Sequence, residues 1–371
     1  MPSGFSPSLY PNWLEIDLSI VECNLRNVRR ITGVEVMAVV KADAYGYGIV
    51  PVAKAAQRAG AAAFGVARAE EALALRRAGI ALPVLVLGMI PQEQIPLCIA
   101  HSITLPAHSF EAVEIFNRHA AAVGTPLHVH IKVDTGMGRL GVFPEEASAL
   151  ARRILTLPYL RLDGIFSHLA NADRQDHPGV HLQIKRFTQA VDALHAAGIH
   201  PRWVHLANSA AALGYPQARF NMVRGAQFLV GHNAFSDRPL HPDIGRILHA
   251  WKARLTDCIH LNAGERVPEL GLAAPEAGYY GLVSIGYGDG YWRQPGSQML
   301  IEGSRQSVVG LPGFDCTVVR LDRAYPAGTE VLLTGAQGDE CITIEDLAKW
   351  WHTGPGKISS VIPAHVPRVY L

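Results

Sequence analysis

From Val36 onward, short unbroken apolar runs alternate with Ala- and Arg-rich segments whose apolar residues recur at helical spacing. Runs at 36–41, 62–67, 83–88, 103–107, 127–134, 160–168, 203–208 and 221–227 predict eight strands. Segments around 51–59, 69–78, 91–100, 110–122, 145–156, 180–197 and 209–213 predict the helices between them. Strands without polar alternation are buried on both faces, as in a parallel sheet covered by helices. Eight such units over about 190 residues predict an α/β fold with a closed (β/α)8 TIM barrel, a doubly wound open sheet being the rival.

The pattern differs at both ends. After a Pro- and Ser-rich leader, 13–17 alternates like a short strand, and 17–31 reads as a helix with Asp17 as its cap. Near 232 the chain becomes irregular. From Ala250 the runs are β-rich and punctuated by glycine, at 255–261, 280–285, 299–301, 307–309, 317–321 and 331–334, with one helix around 344–351. This predicts a barrel domain over 10–240 and a mostly antiparallel β domain over 245–371, with the strand at 12–17 available to pair with it.

Composition narrows the classes. Of 371 residues, 49% are hydrophobic and 18% charged, as in a globular enzyme. A formal net charge of +1 without a basic block argues against nucleic acid or an anionic membrane as partner. Cys23, Cys98, Cys258, Cys316 and Cys341 are scattered without ligand spacing, so neither a disulfide framework nor a metal site is expected. No apolar run approaches membrane length, and no basic region precedes an apolar core at the N-terminus. The expected compartment is the cytoplasm.

Reactive groups of a barrel gather at the carboxyl ends of its strands. That rule selects Lys41, Lys132 with Asp134 and Arg139, His168, His205 with Asn208 and Ser209, and Arg224 with Gly225. A lysine ending a buried strand has a depressed pKa and serves as a base or forms a Schiff base. Ser209 at a helix start suits phosphate oxygens, and Gly225 permits close backbone approach. A Schiff-base lysine beside a phosphate cradle points to pyridoxal phosphate. Each residue taken alone has an ordinary structural explanation, such as a satisfied core histidine for His168 or a surface ion pair for Arg224; their convergence does not.

The segment Val39-Val40-Lys41-Ala42-Asp43-Ala44-Tyr45-Gly46-Tyr47-Gly48 resembles the cofactor-lysine motif of alanine racemases. The blocks at 132–141, 167–173, 205–211, 222–224, 285–290, 337–340 and 366–369 resemble others of that family, in the same order. The resemblance implies a PLP-dependent isomerase that interconverts L- and D-alanine or a related amino acid. Lys41 would carry the cofactor and transfer the α-proton. Tyr45, Ser209 and the main chain at Gly225 and Ala226 would hold the phosphate, Asn208 would also bind the cofactor, and His168 would lie along the pyridine ring. His205 would hydrogen-bond Arg224, which would face the ring nitrogen. Arg139, steadied by a carbamylated Lys132, would reach the cofactor and the substrate carboxylate, with Phe314 and Tyr287 also at the substrate. A homodimer with shared active sites is implied, and aromatics such as Tyr279, Tyr280, Tyr291 and Trp292 lie in the region that would take part.

Three positions depart from the family pattern. The block that carries a second catalytic tyrosine reads Arg266-Val267-Pro268-Glu269-Leu270-Gly271-Leu272, without tyrosine. A second phosphate-binding tyrosine is replaced by Ala364, and a Cys-Met-Asp triplet by Gly313-Phe314-Asp315. A racemase needs an acid and a base on opposite faces of the α-carbon. One reading keeps racemisation, with Glu269, Tyr279, Tyr280 or water as the second proton carrier. The others are a different PLP reaction on an amino acid, of transaminase or lyase type, and a non-catalytic PLP-binding protein.

Overall fold

The strand Glu35–Val39 (β2) pairs in parallel with Met222–Gly225 (β9), in register from Glu35 with Met222 to Ala38 with Gly225. This pairing of the first and last barrel strands closes the sheet and excludes the doubly wound alternative. Between them run Ala63–Val66 (β3), Val84–Val86 (β4), Ile103–Ala107 (β5), Leu127–Lys132 (β6), Leu160–Phe166 (β7) and Trp203–His205 (β8), each parallel to the one before. The last gap is bridged by the N–H groups of Asn221 and Arg224, which donate to the carbonyls of Val204 and Ala207. This computed structural model describes residues 9–371, so the first eight residues of the leader lie outside it.

Met37, Ala63, Leu85, Phe166 and Met222 form a buried apolar cluster. Side chains two apart on a strand share a face. On β6 this separates Leu127, Val129 and Ile131 from His128, His130 and Lys132. Several strands stop short of their apolar runs: β2 at Val39, β6 at Lys132, β7 at Phe166 and β8 at His205. Lys41, Asp134, His168 and Asn208 therefore sit beyond the ladders, where the backbone is free to turn.

The chain divides into two compact units, Ser19–Gly245 and a second formed by Arg246–Leu371 with the described residues up to Leu18. The second holds a nine-stranded sheet that is antiparallel except at one edge. Asn12–Ile16 (β1) pairs with the 14-residue strand Leu248–Leu261 (β10) on one side and, in parallel, with Arg368–Tyr370 on the other. Two helices lie between the last two strands, Ile344–Trp350 and Pro355–Val361, where the sequence pattern predicts one. The second begins on Pro355, whose missing N–H costs nothing in a first turn. The three-residue strands Glu340–Ile342 and Arg368–Tyr370 are too short for periodicity to reveal.

Candidate active site

Lys41 opens a turn of unusual handedness. Ala42, Asp43, Ala44 and Tyr45 all have positive φ, between 52° and 61°. A left-handed turn of non-glycine residues costs about 1–2 kcal/mol per residue, so neighbouring groups must hold it. Glu71, in the first turn of the helix Ala69–Arg77, does so. Its carboxylate accepts the N–H of Ala42 at 2.6 Å, of Ala67 at 2.8 Å and of Arg68 at 3.2 Å. Asp43 accepts the N–H of Ile49 at 2.7 Å. Glu71→Ala is expected to lower unfolding free energy by about 2–4 kcal/mol, because three donors lose an ionised acceptor. Glu71→Gln, which keeps one oxygen, should lie between. Urea melts of both variants check the order, and equal melts would discount the clamp.

Burial pushes the Lys41 ammonium below its usual range, Arg139 adds to the shift and Glu71 opposes it. Burial also raises the Tyr45 phenol to about 12, so it stays a protonated donor.

Arg224, on β9, is buried and donates four times through its Nη atoms. Nη1 reaches His205 Nδ1 at 2.9 Å and the His205 carbonyl at 2.8 Å, while Nη2 reaches the carbonyls of Ser167 at 2.7 Å and Leu206 at 3.3 Å. A guanidinium has five N–H groups. The Nε–H is left for whatever occupies the adjoining cavity. Burial lowers the Arg224 pKa to about 9, so it remains charged at neutral pH. His205 does not line that cavity; it is fully buried behind Arg224.

Ser209 is the first residue of a helix capped by Asn208, whose Oδ1 accepts the Ala211 N–H at 3.1 Å. The Ser209 hydroxyl accepts the N–H groups of Ala226 and Gln227, both at 3.1 Å, and keeps its own proton to donate. The Ala226 N–H, expected at the phosphate, thus also ties the main chain to Ser209. Gly225 lines the cavity and is further constrained from behind: a Cβ there would lie 2.1 Å from the Phe228 ring.

The segment after β6 folds back over it. The Val142 N–H donates to the Lys132 carbonyl and the Val142 carbonyl accepts the Asp134 N–H, while the Asp134 carboxylate accepts the N–H groups of Gly136, Met137, Gly138 and Arg139. This loop presents Arg139. Lys132 is buried with its ammonium 4.9 Å from the Phe166 ring centroid. Burial lowers it to about 7, helped by Arg224 and Arg139 and opposed by Asp134.

These groups meet in one cavity of about 280 Å³, lined by Lys41, Tyr45, Lys132, Arg139, His168 and Arg224, together with Asn208, Ser209, Gly225 and Ala226. Val39, Leu87, Phe166 and Gln227 complete its wall. The sequence reading missed these four, although Val39 and Phe166 lie on strands whose ends it had selected. It also missed Glu71, whose signal is an acidic pair opening a helix. The donor set matches pyridoxal phosphate: an amine with depressed pKa, hydroxyls and a charged arginine in one cleft with an aromatic wall.

The remaining predicted residues belong to the C-terminal unit. Tyr287 and Phe314 pack edge to face at 5.2 Å and are both exposed. Tyr280, proposed as a proton carrier, is instead core: it is fully buried with Val267, Ala274 and Val318, and its hydroxyl donates to the Glu276 carbonyl at 2.9 Å. Glu269 sits in a tight turn with φ 65°.

Comparison with known proteins matches residues 16–234 to the sequence family "Alanine racemase, N-terminal domain" and residues 248–370 to "Alanine racemase, C-terminal domain". An alanine racemase of Symbiobacterium thermophilum is 38% identical over 97% of both chains. The crystal structure of alanine racemase from E. faecalis superposes with a TM-score of 0.91 at 32% identity, covering 100% of both chains. A histidine racemase from Leuconostoc mesenteroides matches with a TM-score of 0.91 at 28% identity over 99% of both.

Proposed function

Because the chain belongs to the alanine racemase family and is an amino-acid racemase, an isomerase, we propose that it interconverts L- and D-alanine with pyridoxal phosphate as cofactor. The observation that carries the reading is the convergence of Lys41, Tyr45, Arg139, His168, Ser209 and Arg224 on one cavity.

Lys41 would hold the cofactor, Tyr45 and Ser209 would donate to its phosphate, and the Arg224 Nε–H would meet its ring nitrogen. When bound, pyridoxal phosphate supplies an electron sink that acidifies the α-hydrogen of an attached amino acid. Lys41, with its lowered pKa, takes and returns a proton at Nζ on one face. Arg224 cannot give up its proton at ordinary pH, so it would hydrogen-bond the ring nitrogen without protonating it. Arg139 neutralises the substrate carboxylate. Lys132, partly neutral near pH 7, is suited to add carbon dioxide and become a carbamate with release of a proton, giving Arg139 a negative partner.

The opposite face needs its own proton carrier. With Tyr280 confined to the core, Glu269, Tyr279 or water supplied by a second copy remain. A homodimer is supported by exposed Leu272, Tyr287, Leu311 and Phe314 on the C-terminal unit. Five free cysteines support a reducing compartment such as the cytoplasm. Among the described residues no helix is long and apolar enough to cross a membrane.

The test is incubation of each enantiomer of alanine in D2O, reading α-deuteration and chirality together. Both enantiomers should appear, each carrying α-deuterium. Deuteration with complete retention of configuration would reject alanine racemisation. The histidine racemase likeness favours one further arm, the same assay with L-histidine and other larger amino acids. Faster turnover of one of these than of alanine would reassign the substrate.

A further inference from the structure

Arg224 is held by His205, and His205 in turn by His130, a residue that neither family motif nor strand-end position singles out. His130 Nδ1 lies 2.9 Å from His205 Nε2, with both rings buried. The chain of donors has a fixed direction. A guanidinium only donates, so His205 Nδ1 must accept from Arg224. His205 is neutral, so its single proton is on Nε2 and points at His130 Nδ1. That nitrogen must accept, which puts the His130 proton on its own Nε2.

The local structure is built around this contact. A Cβ at Gly164 would lie 2.6 Å from His130 Nδ1, so only glycine leaves space for the ring. Phe166 stacks on His205 at 5.0 Å and 7° between planes, while His130 meets His205 edge on at 5.1 Å. With Thr104 and Asp163, His130 also lines a small cavity of about 40 Å³. Thr104, Asp163 and Arg202 bring polar groups to a lining otherwise made largely of apolar side chains, and a water held by them would accept the His130 Nε2–H.

The geometry points to His130 as a positioning residue: by accepting from His205 Nε2 it selects the tautomer whose Nδ1 receives Arg224, and so keeps the Arg224 Nε–H aimed into the active site. In the other tautomer, His205 Nδ1–H would oppose an Arg224 N–H. The consequence for catalysis rests on Arg224 facing the cofactor ring; the tautomer assignment does not.

The test uses the holoenzyme with ¹⁵N-histidine and two variants. Long-range ¹H–¹⁵N spectra of the unaltered protein should show His205 protonated on Nε2 and bare at Nδ1. His130→Leu fills the space without an acceptor, whereas His130→Asn restores an acceptor at the Nδ1 position. In His130→Leu the His205 signals should shift or split between tautomers. Its kcat should fall about tenfold or more, the effect of one buried hydrogen bond left unmade, with KM little changed. His130→Asn should recover most of both.

Protonation of His205 on Nδ1 in the unaltered protein overturns the proposal, whether or not the variants fold. So does a folded His130→Leu with unchanged His205 signals and kcat, or an Asn variant no better than Leu. If the unaltered enzyme racemises no amino acid yet shows the assigned tautomers, the functional reading fails and the role of His130 stands.

Discussion

Lys41→Ala is expected to lower racemisation by about 10³-fold or more, and to remove the absorbance band of a lysine-bound cofactor. Two proposed roles fall on this side chain, covalent attachment and proton transfer, and among the described residues only one other lysine reaches the cavity. Lys132 also lines the cavity, but it is buried against Phe166 and ends β6 rather than the left-handed turn. Lys41→Arg tests the chemistry separately from charge. It keeps a cation at the site, yet a guanidinium neither forms the linkage nor accepts a proton near neutral pH. Both variants should therefore be inactive. Retention of the band, or of more than a small fraction of activity in either, would remove Lys41 from its assigned position.

The barrel unit should lose stability steeply in mild acid, before carboxylates titrate. Three histidines are buried and held neutral. Burial pushes His130 down to about 4, Asp163 partly opposing and Arg224 adding to the shift. Burial, then the charges of Arg224, Lys132, Arg139 and Lys41, push His168 down to about 3. Burial and Arg224 push His205 well below the usual imidazole range. In the unfolded chain all three take up protons as pH falls through about 6.5. The unfolded state then binds more protons than the folded one, so stability falls as pH drops from there, at the full slope until His130 itself titrates and more gently beyond. At the full three-proton slope the loss is about 4 kcal/mol per pH unit. Urea midpoints between pH 7 and pH 5 measure it, and a flat profile would mean that these rings are protonated or exposed in the folded protein.

How much of this was written in the chain depends on distance. The barrel was legible because apolar runs and helical spacing are local, and eight repetitions leave few architectures. Lys41, Tyr45, Arg139, His168, Ser209 and Arg224 were legible because strand-end position and short motifs are local as well. The same local view placed strand ends too late. Apolar character continues through Val133 and into Leu169, whereas the ladder stops where the neighbouring strand stops pairing. Nor could that view see that Phe228, three residues on, packs where a Cβ of Gly225 would lie.

The sequence by itself determined that a lysine, anion donors and arginines would gather at one end of a parallel barrel, and that the block at 266–272 holds no tyrosine. Only the tertiary structure decided what holds them. Glu71 clamps the Lys41 turn from 30 residues away, and Arg224, His205 and His130 come from three different strands. Tyr280 looked available beside Tyr279, but the pleat turned it into the core. Hydrogen-bond direction and burial are properties of neighbours in space, which no spacing along the chain records.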